Sequence, residues 1–267
     1  MKPVAISSGD LSIAAALVLL SALCSLLLSL RVHRALLIAT ARMVVQLLLV
    51  GTVLRLVFRL SHPGLTLLVL AVMAAATIHE VGARQERRLR GAWHYVTGGA
   101  PTVMSALLIV VLALTTALRP SPWYDARAAI PLTGIILGNV MNAVSLALNF
   151  FFSAAWRERA AIEARLALGD GRRQALQGVA AQALRTALIP TINQMAAAGV
   201  ITMPGIMTGQ LLAGMDPLVA AQYQILLMGL MLGASFLAAV GALALAGLRI
   251  TDQRDRLRLD RLRPGKG

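Results

Sequence analysis

Apolar residues run through this chain in long blocks that charges interrupt only at intervals. The first block, residues 11–30, reads "LSIAAALVLLSALCSLLLSL" and carries no charge. About 20 apolar residues let an α-helix cross the hydrocarbon core of a bilayer. The same pattern predicts seven spans: about 11–30, 35–58, 64–79, 101–118, 129–152, 185–212 and 218–247. The breaks fall at Arg31 to Arg34, at "SHPG" (61–64), in the charged run 80–90, at "RPSPWYD" (119–125) and at "MDP" (215–217). Arg42 and Arg55 cut into the second span and must snorkel toward opposite interfaces. A cleaved signal peptide would show a shorter apolar stretch behind a basic start. Here Asp10 precedes the block and Lys2 is the only early cation. The expectation is an all-α, polytopic integral membrane helical bundle, with residues 1–267 as a single transmembrane domain.

Composition agrees. The chain is 58% hydrophobic with a mean hydropathy of +0.76, against about 45–50% apolar residues in soluble domains. Aromatics make up only 4%, so Leu, Ala, Val, Ile and Met carry the apolar content. The cations set an orientation. With the N-terminus outside, inside segments hold three in 31–42, four in 80–100, six in 153–185 and seven in 248–267, twenty of the 25 Lys and Arg. Only Lys2, Arg55, Arg59, Arg119 and Arg127 fall outside. This asymmetry predicts the N-terminus outside and the C-terminus inside. Basic loops beside anionic membrane lipid also account for the net charge of +14, with no nucleic-acid partner. Cys24 is the single cysteine, so no disulfide forms within the chain.

The longest segment outside the spans is a cytosolic loop, 153–184. Up to Leu168 it reads as an amphipathic helix, with Arg157, Glu158, Arg159 and Arg165 toward water. "GDG" at 169–171 turns the chain, and a second helix starts at Arg172 and continues into the sixth span. Two short helices joined by a glycine turn could plug into a groove on another protein. The plainer alternative is an amphipathic helix lying on lipid headgroups.

The loop resembles that of ATP-binding-cassette importer permeases: E-A-A, three residues, G, nine residues, I-x-L-P. Glu163, Ala164, Gly169 and Val179 stand at matching offsets. Arg165 departs from it, and Ala181 and Gln182 replace the Leu-Pro. Over some 180 residues the chain resembles the UPF0014 family of permeases, whose members include bacterial iron exporters and plant relatives linked to aluminium tolerance. The resemblance is carried by "ARMVVQLLLVGTVLRLVF" (41–58), "PLTGIILGNVMNAVSL" (131–146), "EARLALGDGRRQAL" (163–176), "ALIPTINQMAAAGVITMPGIMTGQLLAGMDP" (187–217) and "AAQYQI" (220–225). It implies a permease subunit in the bacterial inner membrane that exports iron or a related metal ion as a homodimer. A separate ATPase would dock on residues 157–176, with Glu163, Ala164, Leu166, Leu168 and Gly169 as the coupling contacts. The chain has no G-x-x-x-x-G-K-[ST] phosphate loop. It is therefore read as a transport subunit rather than an enzyme, with ATP and Mg held by the partner and no cofactor of its own.

Polar side chains at membrane depth mark a candidate substrate path, because each needs a partner or water. Gln46, Asn139, Asn142, Asn193 and Gln210 are such residues, with Asn149, Gln194, Thr202 and Thr208 nearby. Hydrogen bonding that glues helices together is the competing reading. Pro204 predicts a kink in the sixth helix near 202–205, a candidate hinge. Gly205 and Gly209, like Gly134 and Gly138, have the small-xxx-small spacing of a close helix seam. Met203 and Met207 stand i, i+4 beside the kink. Thioethers suit soft metals, while iron prefers oxygen and imidazole, so these methionines also read as flexible core filler. Any metal ligands stay unknown. A stand-alone channel or secondary carrier would carry more charge in its spans, and a membrane enzyme would show a nucleophile–base pair or ligand cluster at membrane depth. An ABC permease for a non-metal solute fits the same features.

Overall fold

The computed structural model describes residues 8–60 and 62–264. Nine α-helices lie within them: α1 (Ser8–Leu27), α2 (His33–Leu60), α3 (Pro63–Ala83), α4 (Trp93–Leu112), α5 (Ala126–Arg157), α6 (Arg159–Ala167), α7 (Arg172–Ala197), α8 (Gly205–Leu212) and α9 (Pro217–Ile250). The chain divides into two compact units. One runs to His62 and takes in 212–214, and the other holds the rest.

The first unit pairs α1 with α2. Ser25 ties their connection, its hydroxyl accepting a hydrogen bond from the Val32 N–H at 3.1 Å. Most of the leucines and valines of α2 are exposed, the surface of a helix that faces lipid.

The second unit is built around α5, which packs against α3, α4, α7 and α9. Two caps explain where its longest helices begin. The Asp125 carboxylate accepts from the Arg127 N–H at the start of α5. At α9, Asp216 accepts from the N–H groups of Leu218 and Val219, with Pro217 in the first turn where its missing donor costs nothing. Along α9, Ala234, Ala238, Ala239, Ala242 and Ala246 are fully buried, so small side chains let neighbouring backbones approach. Three glycines let α3 and α4 approach closely. A Cβ on Gly98 would lie 2.5 Å from Val81 Cγ1, one on Gly99 2.7 Å from Ile78 Cγ2, and one on Gly82 2.6 Å from Tyr95 Cδ1.

Among the described residues, five helices are long and apolar enough to cross a membrane: α2, α3, α4 with its π-helical continuation Ala113–Leu118, α5 and α9. The apolar part of α1, Leu11–Leu27, is shorter. Several boundaries move from expectation. The helix expected from 101 begins at Trp93, and Pro101 lies inside it, where it packs against Gly241 of α9. The continuous span expected over 185–212 is two helices. α7 stops at Ala197, with Ala198 extended (ψ 130°) and Gly199 left-handed (φ +80°). The Ile201 and Thr202 N–H groups both close back on the Ala197 carbonyl, and α8 starts only at Gly205. Pro204 therefore does not kink a helix from within: its carbonyl accepts the Thr208 N–H at 2.9 Å and opens α8. Met203 is not helical, so it does not share a helix face with Met207.

The C-terminal segment is also structured. After α9 it turns through a 3₁₀ turn, Leu259–Arg261, into β2 (Leu262–Pro264), which pairs antiparallel with β1 (Arg87–Leu89) in the connection between α3 and α4. The Arg261 guanidinium donates to the Arg249 carbonyl at 2.8 Å, and Leu89 and Leu262 are buried.

Candidate functional site

Two regions of the second unit carry the candidate residues. The first is α6 with its turn. Ile162 is buried, and Leu166, one turn on, packs on the core. Leu166, partly buried, therefore helps hold α6 against the bundle. Glu163, Ala164, Leu168 and Gly169 are exposed, Leu168 at 87%. The turn after α6 is hydrogen-bonded at both orphan carbonyls: the Asp170 N–H donates to Arg165 O at 3.0 Å and the Gly169 N–H to Leu166 O at 3.2 Å. Gly169 takes φ +99°, a conformation that favours glycine. The Arg165–Asp170 ion pair (2.8 Å) braces the same turn.

Beside α6 stands the β1–β2 ribbon. A shallow cavity of about 440 Å³ is lined by Trp156 and Arg159 at the foot of α6, by Glu163, and by Leu257, Asp260 and Leu262 of the C-terminal segment. The sequence reading missed this segment as a neighbour of α6. Its fold depends on carboxylates. Asp252 accepts from the Arg256 and Arg254 N–H groups and from the Arg256 guanidinium, at 2.9–3.0 Å. These bonds, led by the Arg256 N–H, lower its pKa to about 2. The Asp260 carboxyl is likewise held below its ordinary value by the Arg258 guanidinium.

The second region is a polar ladder along α5. Asn142, Asn149 and Trp156 stand seven residues apart and so share a face. Each meets the end of α3 or the connection after it. The Arg84 guanidinium donates to Asn142 Oδ1 at 2.8 Å and pairs with Glu80 at 3.4 Å. Asn149 accepts from the Glu86 N–H at 3.0 Å and donates to Arg84 O at 3.1 Å. The Arg87 guanidinium lies 4.7 Å over the Trp156 ring. From Asn142 to Trp156 the ladder covers about 21 Å of helix. Glu80, Arg84 and Arg87 were not anticipated, although the heptad spacing of Asn142, Asn149 and Trp156 is a readable signal.

The other path residues do not join the ladder. Asn139 turns toward α9, donating to Met231 Sδ at 2.9 Å and to Ile135 O at 3.4 Å, whereas Asn142 and Asn149 meet the α3 side. Asn193 and Met203 are exposed, on α7 and before α8 respectively, and Met207 is half-buried on α8. The Gln210 Oε1 atom is buried and has no partner among the described residues. Gln46 is exposed on α2, in the other unit. Of the seam glycines, Gly134 would place a Cβ 3.2 Å from Met73 Cε, while Gly138, Gly205 and Gly209 have nothing of this chain within 4 Å. The tight intrachain seam is the one at Gly82, Gly98 and Gly99. Among the described residues, no three His, Cys, Asp or Glu converge as a metal-ion site.

Long apolar helices packed through small residues, with a polar ladder on the central one and an amphipathic helix held at one end, define a multi-pass helical membrane protein of permease-like build, suited to transport rather than catalysis. The chain belongs to the uncharacterised protein family UPF0014, whose family model matches residues 8–250. It is 40% identical over 223 residues to the UPF0014 membrane protein slr1647 of Synechocystis, covering 82% of this chain and 84% of that one. It is 29% identical over 259 residues, 97% of both chains, to the "Probable iron export permease protein FetB" of Escherichia coli. It is also similar to the protein ALUMINUM SENSITIVE 3 of Arabidopsis thaliana, at 28% over 223 residues, 84% of this chain and 80% of that one. No solved structure matches it.

Proposed function

We propose that this chain is the permease subunit of an ATP-binding-cassette transporter in the bacterial inner membrane, exporting iron or a related metal ion. α1 to α5, the α7–α8 pair and α9 make seven crossings, with the N-terminus outside and the α6 end in the cytosol. A separate ATPase, holding ATP and Mg, docks on the exposed face of α6. Two copies of the permease pair around the path. The observation that carries this reading is Leu168: a large apolar side chain, 87% exposed, at the tip of a polar helix and fixed there by a left-handed glycine. Such a residue fits a pocket on a partner. Likeness to a permease named for iron export over 97% of both chains supports the substrate. The Glu80–Arg84–Asn142 end of the ladder and the unpartnered Gln210 carbonyl supply polar groups for a path.

The test uses the permease reconstituted with its ATPase in vesicles. Gly169→Val strains the left-handed turn, so ATP hydrolysis should lose its stimulation by substrate while the permease keeps its melting temperature. Normal stimulation in this variant removes α6 as the contact. Iron flux into inside-out vesicles tests the substrate. The neutral amides and thioethers of the path favour a second reading, a non-metal solute, which predicts coupled ATPase activity with no iron flux.

A further inference from the structure

An elongated groove of about 820 Å³ lies between α7 and α9, floored by Phe151 of α5. Its walls are apolar: Leu176, Ala180 and Leu184 on one side, Val240, Leu243 and Leu248 on the other. Its mouth is polar and basic, with Arg172, Arg173, Gln174 and Gln177. No acidic residue lines it. Neither arginine has a hydrogen bond or ion pair with another described residue, whereas Arg84, Arg165, Arg256 and Arg258 all meet carboxylates. Two unpaired guanidinium groups at one end of an apolar channel are the complement of an amphiphile with an anionic head.

The groove also lies at the right depth. The Arg249 guanidinium sits 3.0 Å over the Trp93 ring, and with the Arg87–Trp156 pair it forms a belt of cation–aromatic contacts of the kind found at the level of lipid headgroups. A Cβ on Gly247 would lie 3.6 Å from Leu176 Cδ1, so the second turn of α7 lies beside the Arg249 end of α9, and the first turn is one turn further toward the α6 side. Arg172 and Arg173 therefore stand at headgroup height. From Arg173 to Leu184 the wall runs about 17 Å, close to the roughly 15 Å half-thickness of a bilayer's hydrocarbon core. Basic pockets between membrane helices on the cytosolic side are known to take anionic lipid headgroups.

We propose that this groove binds one anionic phospholipid of the inner leaflet, its phosphate between Arg172 and Arg173 and an acyl chain along α7 and α9. The leaflet assignment rests on the orientation proposed above; the binding itself does not. The lipid would form one wall at the start of α7, immediately after the α6 turn, so the occupied groove would stiffen the junction between coupling helix and bundle.

The test uses the full-length protein in detergent without its ATPase, so failure of coupling cannot mask the result. Dioleoylphosphatidylglycerol is titrated against dioleoylphosphatidylcholine and followed by native mass spectrometry and melting temperature. The expected result is retention of the anionic lipid and a melting shift that phosphatidylcholine does not give. The Arg172→Gln, Arg173→Gln pair should weaken phosphatidylglycerol by roughly 30-fold. Ala244→Trp, on an exposed position of the groove wall, should block it with both arginines intact. Equal retention of both lipids would reduce the groove to ordinary lipid contact. The same shift from inorganic phosphate alone would make it an anion site only. Loss of the permease dimer in Ala244→Trp would identify a second copy as the occupant. Any of the three overturns the proposal. Thiol labelling of Gln174→Cys from outside intact cells would overturn the orientation and leave the lipid titration standing.

Discussion

Alanine at Gly98 would place one methyl group where three helices meet. Its carbon would lie 2.5 Å from Val81 Cγ1 of α3 and 3.0 Å from Leu148 Cδ1 of α5. Both neighbours are 0% exposed, so neither can swing away into lipid. Forcing a methyl into a packed core costs about 1–3 kcal/mol. Alanine's better helix propensity returns about 1 kcal/mol. The net loss of about 1 kcal/mol corresponds to a fall in Tm of roughly 2–4 °C for a domain of this size. Val81→Ala alone should destabilise by opening a cavity. Combined with Gly98→Ala the two costs should not add, because the new methyl occupies the vacated space, and the coupling should fall in the range of about 0.5–3 kcal/mol seen for contacting residues. Gly138→Ala is the control: with nothing within 4 Å it should hold or raise Tm. The assay is thermal unfolding of the four variants and the wild type in one detergent at one concentration. A Gly98→Ala protein that melts at or above wild type would refute the packing argument. A Gly138→Ala protein that melts below wild type would show that a body outside this chain packs on that face of α5.

Three further outcomes can be checked directly. Because Asp252 has a pKa lowered to about 2 from 3.8, its contribution to the C-terminal fold is complete above about pH 4 and is lost as pH falls through about 2. Asp252→Asn removes it at neutral pH, and trypsin should then cut after Arg254 and Arg256 faster than in wild type. Pro204→Ala should leave the α7–α8 break in place, since the chain turns at Ala198 and Gly199, and Tm should move by less than about 0.5 kcal/mol equivalent; a clear rise in helicity by circular dichroism would contradict the break. Cysteines at Ser121 and Gln174, in a background lacking Cys24, should label from opposite sides of the membrane, the first from outside, and labelling of both from one side refutes the seven-crossing arrangement.

The helices with the cleanest signals were legible in the sequence. Uninterrupted apolar runs located α3, α5 and α9, the run of α2 was readable despite Arg42 and Arg55, and Asp216–Pro217 marked the start of α9 as a cap should. "GDG" was legible because helix termination by glycine is a local event, and Gly169 alone decides it. The α7–α8 break was not, because "AGVITMPG" reads as one apolar run whether or not its backbone is helical. The intrachain seam was missed for a related reason. Gly82, Gly98 and Gly99 lie on two helices and make no Gly-xxx-Gly pair on either, whereas the spacing at Gly205 and Gly209 is regular but faces nothing in this chain. The ribbon was invisible to pattern reading: strands of three residues, rich in arginine, carry no period-two alternation. The asparagines stood out as polar residues in an apolar span, but the sequence alone cannot say that Asn139 reaches Met231 while Asn142 reaches Arg84.

The β1–β2 ribbon has a consequence for how the protein is made. Its two strands are separated by nearly the whole of the second unit, so residues 87–89 are synthesised long before their partner. Throughout the insertion of α4 to α9 the edge of β1 has no strand beside it, and the pocket wall next to α6 lacks Leu257 and Leu262. Both are completed only when residues 257–264 leave the ribosome. The surface around α6 is thus completed only after α9 has been made, by a segment about 90 residues further along the chain than α6 itself.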